Sequence, residues 1–468
     1  MIRFRYVLGS ILLGIAVTLS IISIDAGRKD IVLANAQLPN DPIGVARGIY
    51  PGRVVWAHDP RATDWDGPGV GDGHWWESKN TNLARVDRMM SWAIRSLTGE
   101  INLGIAWDKL FKYHNKAHGK SDIGYQTGEK ITIKVNLVGC IAKPGWGAVD
   151  PGNYDMIRKR DYMNTSPQMM LALLRQLVNR AGIDQRDISI GDTLSYFPNE
   201  YFNLCRKAFP DVNYLDREGN FGRTRVRYSS VPFYWSSDPS PENQDFVPAS
   251  YAEASYIINM ANFKSHSMAA VTLCAKNHYG SLIRFPVQPG FYDMHLNLPS
   301  NKGNEGEYRP LVDLMGHAHI GGKTLLYLID GLYAGHHPYG LAPTRLTSAP
   351  FNGGWSSSLF VSQDPVAIDS VAFDFLWSEP GWEFHTHISG GDDYLHEAAL
   401  ADKPESGIFY DPDHRGNVNR LSSLGVHEHW NNPTDKKYSR NLGNGDGIEL
   451  ISLAPVDDHA AIPWMKSF

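Results

Sequence analysis

Residues 257–280, IINMANFKSHSMAAVTLCAKNHYG, decide how this chain is read. Residues 255–261 read as a strand, and the apolar run ends in Asn262, Lys264 and His266. From 268 to 279 the pattern is almost wholly apolar over a helical length, which predicts a buried helix. It closes in Lys276, Asn277, His278 and Gly280. A helix N-terminus offers unpaired N–H groups and partial positive charge, so Lys264 and His266 just ahead of one suit a carboxylate or phosphate. Lys276 and Asn277 then fall about 15 Å further on, at ~1.5 Å per residue. They reach the same ligand only if it is extended; otherwise Lys276 serves the helix C-terminus as a dipole partner. Burial would lower the pKa of Lys276 towards that of a useful base or nucleophile.

Working outward, residues 130–137 (KITIKVNL) read as a strand with Ile131, Ile133, Val135 and Leu137 on one face and Lys134 and Asn136 on the other. Residues 52–58, 187–192, 212–215 and 358–363 are further strands, and 324–329 (TLLYLI) is an apolar strand ending in Asp330-Gly331. A continuous apolar run suits a strand covered on both faces. Helices are predicted over 83–97, over 105–113, after Ser166-Pro167 and from Asp364-Pro365 to Trp377, the last two opening with a cap and a proline. Strands alternating with helices give an α/β class with a mainly parallel sheet, elaborated by long loops. In such sheets ligands bind outside the carboxyl ends of the strands. Lys134 with Asn136, Asp192, the Asn262–His266 group, Asp330, and Gln363-Asp364 are five polar endings expected on one rim.

The chain has 468 residues, enough for one large core or several domains. Arg3 and Arg5 precede an uncharged run over 7–24, the pattern of an export signal. Ala34-Asn35-Ala36 is a cleavage candidate, and 18 uncharged residues also suffice for a retained membrane anchor. The expected organisation is a signal or anchor over 1–36, an α/β core over 53–377 with an insertion near 220–250, and a loop-rich extension over 378–468. The expected location is exported, with membrane contact through residues 7–24 only. A net charge of −6 argues against nonspecific nucleic-acid binding. Three cysteines, Cys140, Cys205 and Cys274, allow one disulfide in an oxidising compartment, Cys274 being the expected free thiol. No C-x-x-C occurs, so zinc-ribbon and iron–sulfur sites have no support.

Histidine is abundant. Three His-x-His pairs, His317/His319, His385/His387 and His427/His429, would share a face if they lay on strands, a start for a metal site. None lies on a clear predicted strand, and the pattern names no metal. Signatures for zinc proteases, serine hydrolases, P-loops and dinucleotide binding are missing.

The blocks KITIKVNL, NFKSHSMAAVTLCAKNHYGSL, TLLYLIDGLYAG and SQDPVAIDSVAFDFL together resemble the prokaryotic domain-of-unknown-function family 362. Its pattern is N-x-K-x-H, an apolar helix, K-N-x-x-G, a D-G strand end and D-P-V-A-x-D. Asn262, Lys264, His266, Lys276, Asn277, Gly280, Asp330, Asp364 and Asp369 match it, within a resemblance covering about 130–377. The resemblance implies an α/β domain and no particular activity. Some members carry ferredoxin-like cysteine clusters, which this sequence lacks, so no iron–sulfur cofactor is expected; the export pattern looks like a secreted subgroup. The leading expectation is an enzyme acting on a small anionic or polar substrate. Lys134, Lys264, His266 and Asp330 are its candidate catalytic residues, and Asn136, Asn262, Lys276 and Asn277 its candidate binding residues; Asp369 joins if its helix face turns inward. A non-catalytic periplasmic binding protein, a metal-dependent hydrolase built on the His-x-His pairs, and a structural role are the alternatives.

Overall fold

The computed structural model describes residues 41–453 except positions 72, 239, 241–242, 338–340 and 415–419. The expected export segment lies outside the described residues. An 11-stranded sheet organises the chain. Its strands are β1 (Arg53–His58), β2 (Ile131–Val135), β3 (Ile188–Gly191), β4 (Asn213–Asp216), β5 (Thr224–Arg225), β6 (Tyr256–His266), β7 (Ala270–Thr272), β8 (Thr324–Gly335), β9 (Ser358–Ser362) and β10 (Glu449–Leu453), with the short Pro343–Thr344 paired to β8. The order is β10-β1-β9-β8-β6-β2-β3-β4-β5, and β7 pairs with the end of β6. Along this path only β9 runs against the others. The edge strand β10 pairs parallel with β1, so residues from the last part of the chain complete the sheet.

Alternation along the strands builds two cores. Val55, Ile133, Ile190, Ile258, Leu328 and Val361 pack on one face with α1 (Leu83–Thr98), α2 (Leu103–Ala117), α3 (Pro167–Asn179) and α4 (Asn199–Ala208). Val54, Trp56, Ile257, Ile329 and Phe360 pack on the other with α5 (Cys274–Asn277), α6 (Pro310–Gly316), α7 (Pro365–Trp377) and α8 (Asp393–Ala399). The result is a mostly parallel α/β sheet covered on both faces, which explains the continuous apolar run of β8, buried along its whole length. Among the described residues no helix is long and apolar enough to cross a membrane. All three cysteines are unpaired and buried, so the permitted disulfide does not form.

Helix ends follow the sequence rules. Ser166 caps α3 by accepting the Met169 N–H at 3.3 Å, and Pro167 occupies its first turn. Ser166→Ala is expected to lower stability by about 1–2 kcal/mol, read from the midpoint of urea unfolding.

The predicted helix over 268–279 does not form. β6 continues through Asn262 and Lys264 to His266; the chain then turns and returns as β7, antiparallel to it. Only Cys274–Asn277 is α-helical, followed by a 3-10 turn over His278–Ser281. The apolar run reads equally well as a buried strand, which periodicity alone does not separate from a helix. Two groups fix the alternative. The His266 ring Nδ1 accepts the N–H groups of Met268 and Ala269 (3.0 and 3.2 Å), closing the turn. Asp369 on α7 accepts the N–H groups of Cys274 and Ala275 (2.8 and 2.9 Å), starting α5 there.

Candidate functional site

The hairpin removes the distance that a helix would have imposed. Lys264, His266, Thr272, Lys276 and Asn277 all line one cavity of about 310 Å³, beside Lys134, Asn136 and Asp192 from the ends of β2 and β3. The cavity thus opens at the carboxyl ends of adjacent parallel strands. Thr272 sits directly across from Lys264 in the hairpin register, which puts both side chains on one face.

Lys134 forms the floor. It alternates with Ile133 and Val135, and its cross-strand neighbours are Asn259 on β6 and Gly191 on β3. Glycine is required at 191, where a Cβ would meet the Leu215 carbonyl oxygen at 2.0 Å. The Lys134 ammonium donates to Asp192 Oδ2 and Asn277 Oδ1, both at 3.0 Å. Asp192 is held in turn by the N–H groups of Leu137 and Leu194. The Asn277 amide donates to Asn259 Oδ1 at 2.8 Å, tying α5 to the sheet. Burial lowers the Lys134 pKa, and the Asp192 carboxylate opposes that shift. A Cβ on Gly280 would stand 3.0 Å from both Lys134 Nζ and Asp192 Oδ1. Gly280→Val is therefore expected to displace this pair and cost about 1–3 kcal/mol, measured by chemical denaturation.

The other two lysines differ. Lys264 is 1% exposed and Lys276 9% exposed. Among the described residues neither ammonium has a hydrogen-bond partner, although that of Lys276 lies 3.5 Å from the centre of the Tyr279 ring. Burial draws the Lys264 pKa down to about 7, with Asp192 resisting and Lys134 adding to the fall. Burial and then Lys264 push Lys276 well below the ordinary lysine range. The hydroxyls of Ser195 and Thr272, also lining the cavity, are buried without a partner.

Histidines form the opposite wall. The rings of His266 and His337 stack at 3.8 Å and 7°. Two backbone donors on Nδ1 leave the His266 proton on Nε2. Burial, then His337 and Lys276, hold His266 well below its usual pKa. Burial takes His295 down to about 4 and His337 to about 2, the nearby lysines contributing to both. At neutral pH these rings are uncharged, and among the described residues Asp192 is the single acidic residue lining the cavity against four lysines, Lys134, Lys143, Lys264 and Lys276. Such a site concentrates anions. The 140–161 loop supplies Ile141, Lys143 and Trp146 to its mouth.

Of the residues expected at the site, Lys134, Asn136, Lys264, His266, Lys276 and Asn277 come together there. Asp330 does not line the cavity. It lies within β8 rather than at its end, and its carboxylate accepts the N–H groups of Ser166 (2.6 Å) and Leu332 (3.0 Å). Asn262 is its register partner, fully buried with both amide atoms unpartnered, and also off the cavity. Gln363 and Asp364 stand at the opposite end of the sheet because β9 is antiparallel; Asp364 caps α7. Asp369 faces inward, but to hold α5. Lys264 and His266 do not precede a helix, so the expected N-terminal contribution to anion binding is missing there. His295 and His337 were not foreseen: one lies in a long polar loop, the other just past a strand that runs five residues beyond Asp330.

The His-x-His pairs are dispersed. His317 contacts the Pro232 carbonyl oxygen, and His387 the Trp377 carbonyl oxygen. His427 and His429 lie near two further ionisable residues on α8 and its cap.

These features define an α/β protein with a buried, lysine-rich cavity at its strand ends. A family model described as Domain of unknown function (DUF362) matches residues 149–374, from before β3 into α7. Over this stretch the chain is similar to that family. The match takes in Asp192, Lys264, His266, Lys276 and Asn277, whereas Lys134 and Asn136 precede it. No curated protein matches the chain.

Proposed function

We propose that the cavity binds a small anion carrying more than one negative charge, and that the protein is an enzyme acting on it. One observation carries the reading: two buried lysines, Lys264 and Lys276, open onto the cavity without a hydrogen-bond partner among the described residues. A buried ammonium is costly unless paired, and a dianion would pair both. Lys276, the His266 Nε2–H and the Asn136 amide would orient the ligand. Lys264, titrating near neutrality, is suited to move a proton to or from it. Lys134, saturated by Asp192 and Asn277, positions that pair rather than reacting. Export through residues 1–36 belongs to the same proposal, and N-terminal sequencing of the secreted protein tests it.

The experiment is a panel of phosphate, phosphate monoesters and small dicarboxylates, read first by thermal shift and then by product analysis. Stabilisation at millimolar ligand or tighter, with turnover of one member, supports an enzyme; stabilisation without turnover supports a binding protein. No response across the panel overturns both.

Because Lys264 is partly neutral when the cavity holds no anion, binding is expected to take up a proton. Affinity should fall by up to tenfold per pH unit above about 7. Calorimetry in buffers of different ionisation enthalpy measures that proton directly.

A further inference from the structure

A second cluster lies apart from the lysine-lined cavity, in the region after α7. Asp392 precedes α8, His396 stands one turn along it, and His427 ends the short strand Val426–His427. One ligand atom from each lies within 4.8 Å of the others. The His396 and His427 rings are 4.7 Å apart, and the closest His396–Asp392 approach is 4.0 Å. The three converge without a hydrogen bond among them, and the His396 ring has none to any described residue.

Their surroundings fix two of the three. The Ser370 hydroxyl donates to the Val366 carbonyl oxygen at 2.8 Å, so its oxygen accepts from His427 Nδ1, also at 2.8 Å. That leaves His427 Nε2 with a lone pair, on a residue only 2% exposed. Asp392 is held by His429 Nε2 at 3.2 Å, whose other nitrogen meets Asp374 at 2.5 Å. Asp374 is anchored by the Trp430 N–H and the Tyr438 hydroxyl. Outer partners of this kind orient metal ligands and set the tautomer of histidine.

The geometry points to a binding site for one divalent first-row transition cation of the zinc type, ligated by Asp392, His396 and His427. Two imidazoles and one carboxylate favour zinc, cobalt or nickel over magnesium or calcium, which prefer oxygen donors. Tetrahedral ligands at zinc distances stand about 3.3 Å apart, so side-chain movements of about an ångström close the site. A bound ion would cross-link α8 to the Val426–His427 strand, and it is separate from the lysine-lined cavity.

The test uses full-length protein without a histidine tag, stripped with chelator and titrated with Co²⁺ and then Zn²⁺. One equivalent should bind with micromolar affinity or better, with ligand-field absorption from cobalt that zinc displaces. His427→Ala should weaken binding by at least 100-fold, and Ser370→Ala by about tenfold through loss of the outer partner. His396→Gln, at a partly exposed position, gives the same loss if His427→Ala does not fold. Absence of saturable one-to-one binding in the wild type overturns the site. So does binding that survives undiminished in His396→Gln, which would place the ion elsewhere.

Discussion

Lys264→Met is expected to abolish high-affinity anion binding while leaving the fold intact. The substitution keeps the length and apolar stem of the side chain and removes only the ammonium. A hydrogen bond to a charged group contributes about 1.5–3 kcal/mol, which corresponds to a 10- to 150-fold loss of affinity, and any proton-transfer step through this nitrogen ends altogether. The ligand-free protein should move the other way. The Lys264 pKa is about 7 in the fold against 10.5 for an ordinary lysine. Between those values the unfolded chain keeps the proton that the native state has released, so this group makes stability rise with pH from about 7 to 10.5 and contributes nothing to its slope below 7. Lys264→Met should flatten that part of the profile. Equilibrium unfolding of both proteins at pH 6, 8 and 10, with anion titration at neutral pH, checks both arms. A variant that binds the anion as tightly as the wild type removes Lys264 from the site.

The second large effect is on stability. Arg309 and Asp393 form an ion pair with both side chains 1% exposed, at 2.6 Å. Asp393 also accepts the N–H groups of Gly306 and Glu307, while Arg309 donates to the Asn297 and Asn304 carbonyl oxygens. The pair pins the long 286–309 loop, which carries His295, against α8. Asp393→Ala leaves a guanidinium buried without its counter-charge, and breaking such a pair costs about 3–5 kcal/mol. The double variant Arg309→Met with Asp393→Leu should recover part of this, because both desolvation penalties vanish together. Denaturant unfolding of the wild type, single and double variants measures the difference. If Asp393→Ala loses less than about 1 kcal/mol, the pair does not hold the loop.

Much of the architecture was legible from spacing. Strand alternation around Lys134, the Ser166 and Asp364 caps and the apolar run of β8 follow from local chemistry, and local chemistry is what a single sequence carries. The parallel sheet and the place of Lys134 and Asp192 at its carboxyl ends follow from the same pattern. The errors have a different origin. Nothing in the sequence of β9 states that it runs against its neighbours, so Asp364 was expected on the wrong rim. Nothing near Met268 states that Asp369, almost a hundred residues away, would start a helix at Cys274 and leave the preceding residues to form a strand. Asp330 reads as a strand end because Gly331 follows it, yet the Ser356 hydroxyl bonds the Gly331 carbonyl oxygen and the strand continues. In each case a distant partner overrode a local signal.

The return of β7 along β6 makes the spacing between Lys264 and Lys276 a register rather than a length. Adding or deleting one residue between them would not move the second lysine slightly; it would turn Thr272 to the opposite face and carry α5 out of step with Asp369. Insertions in the 140–161 loop should be tolerated far better. In a comparison of relatives, a constant interval between these two lysines would therefore mark a shared cavity more surely than either residue by itself.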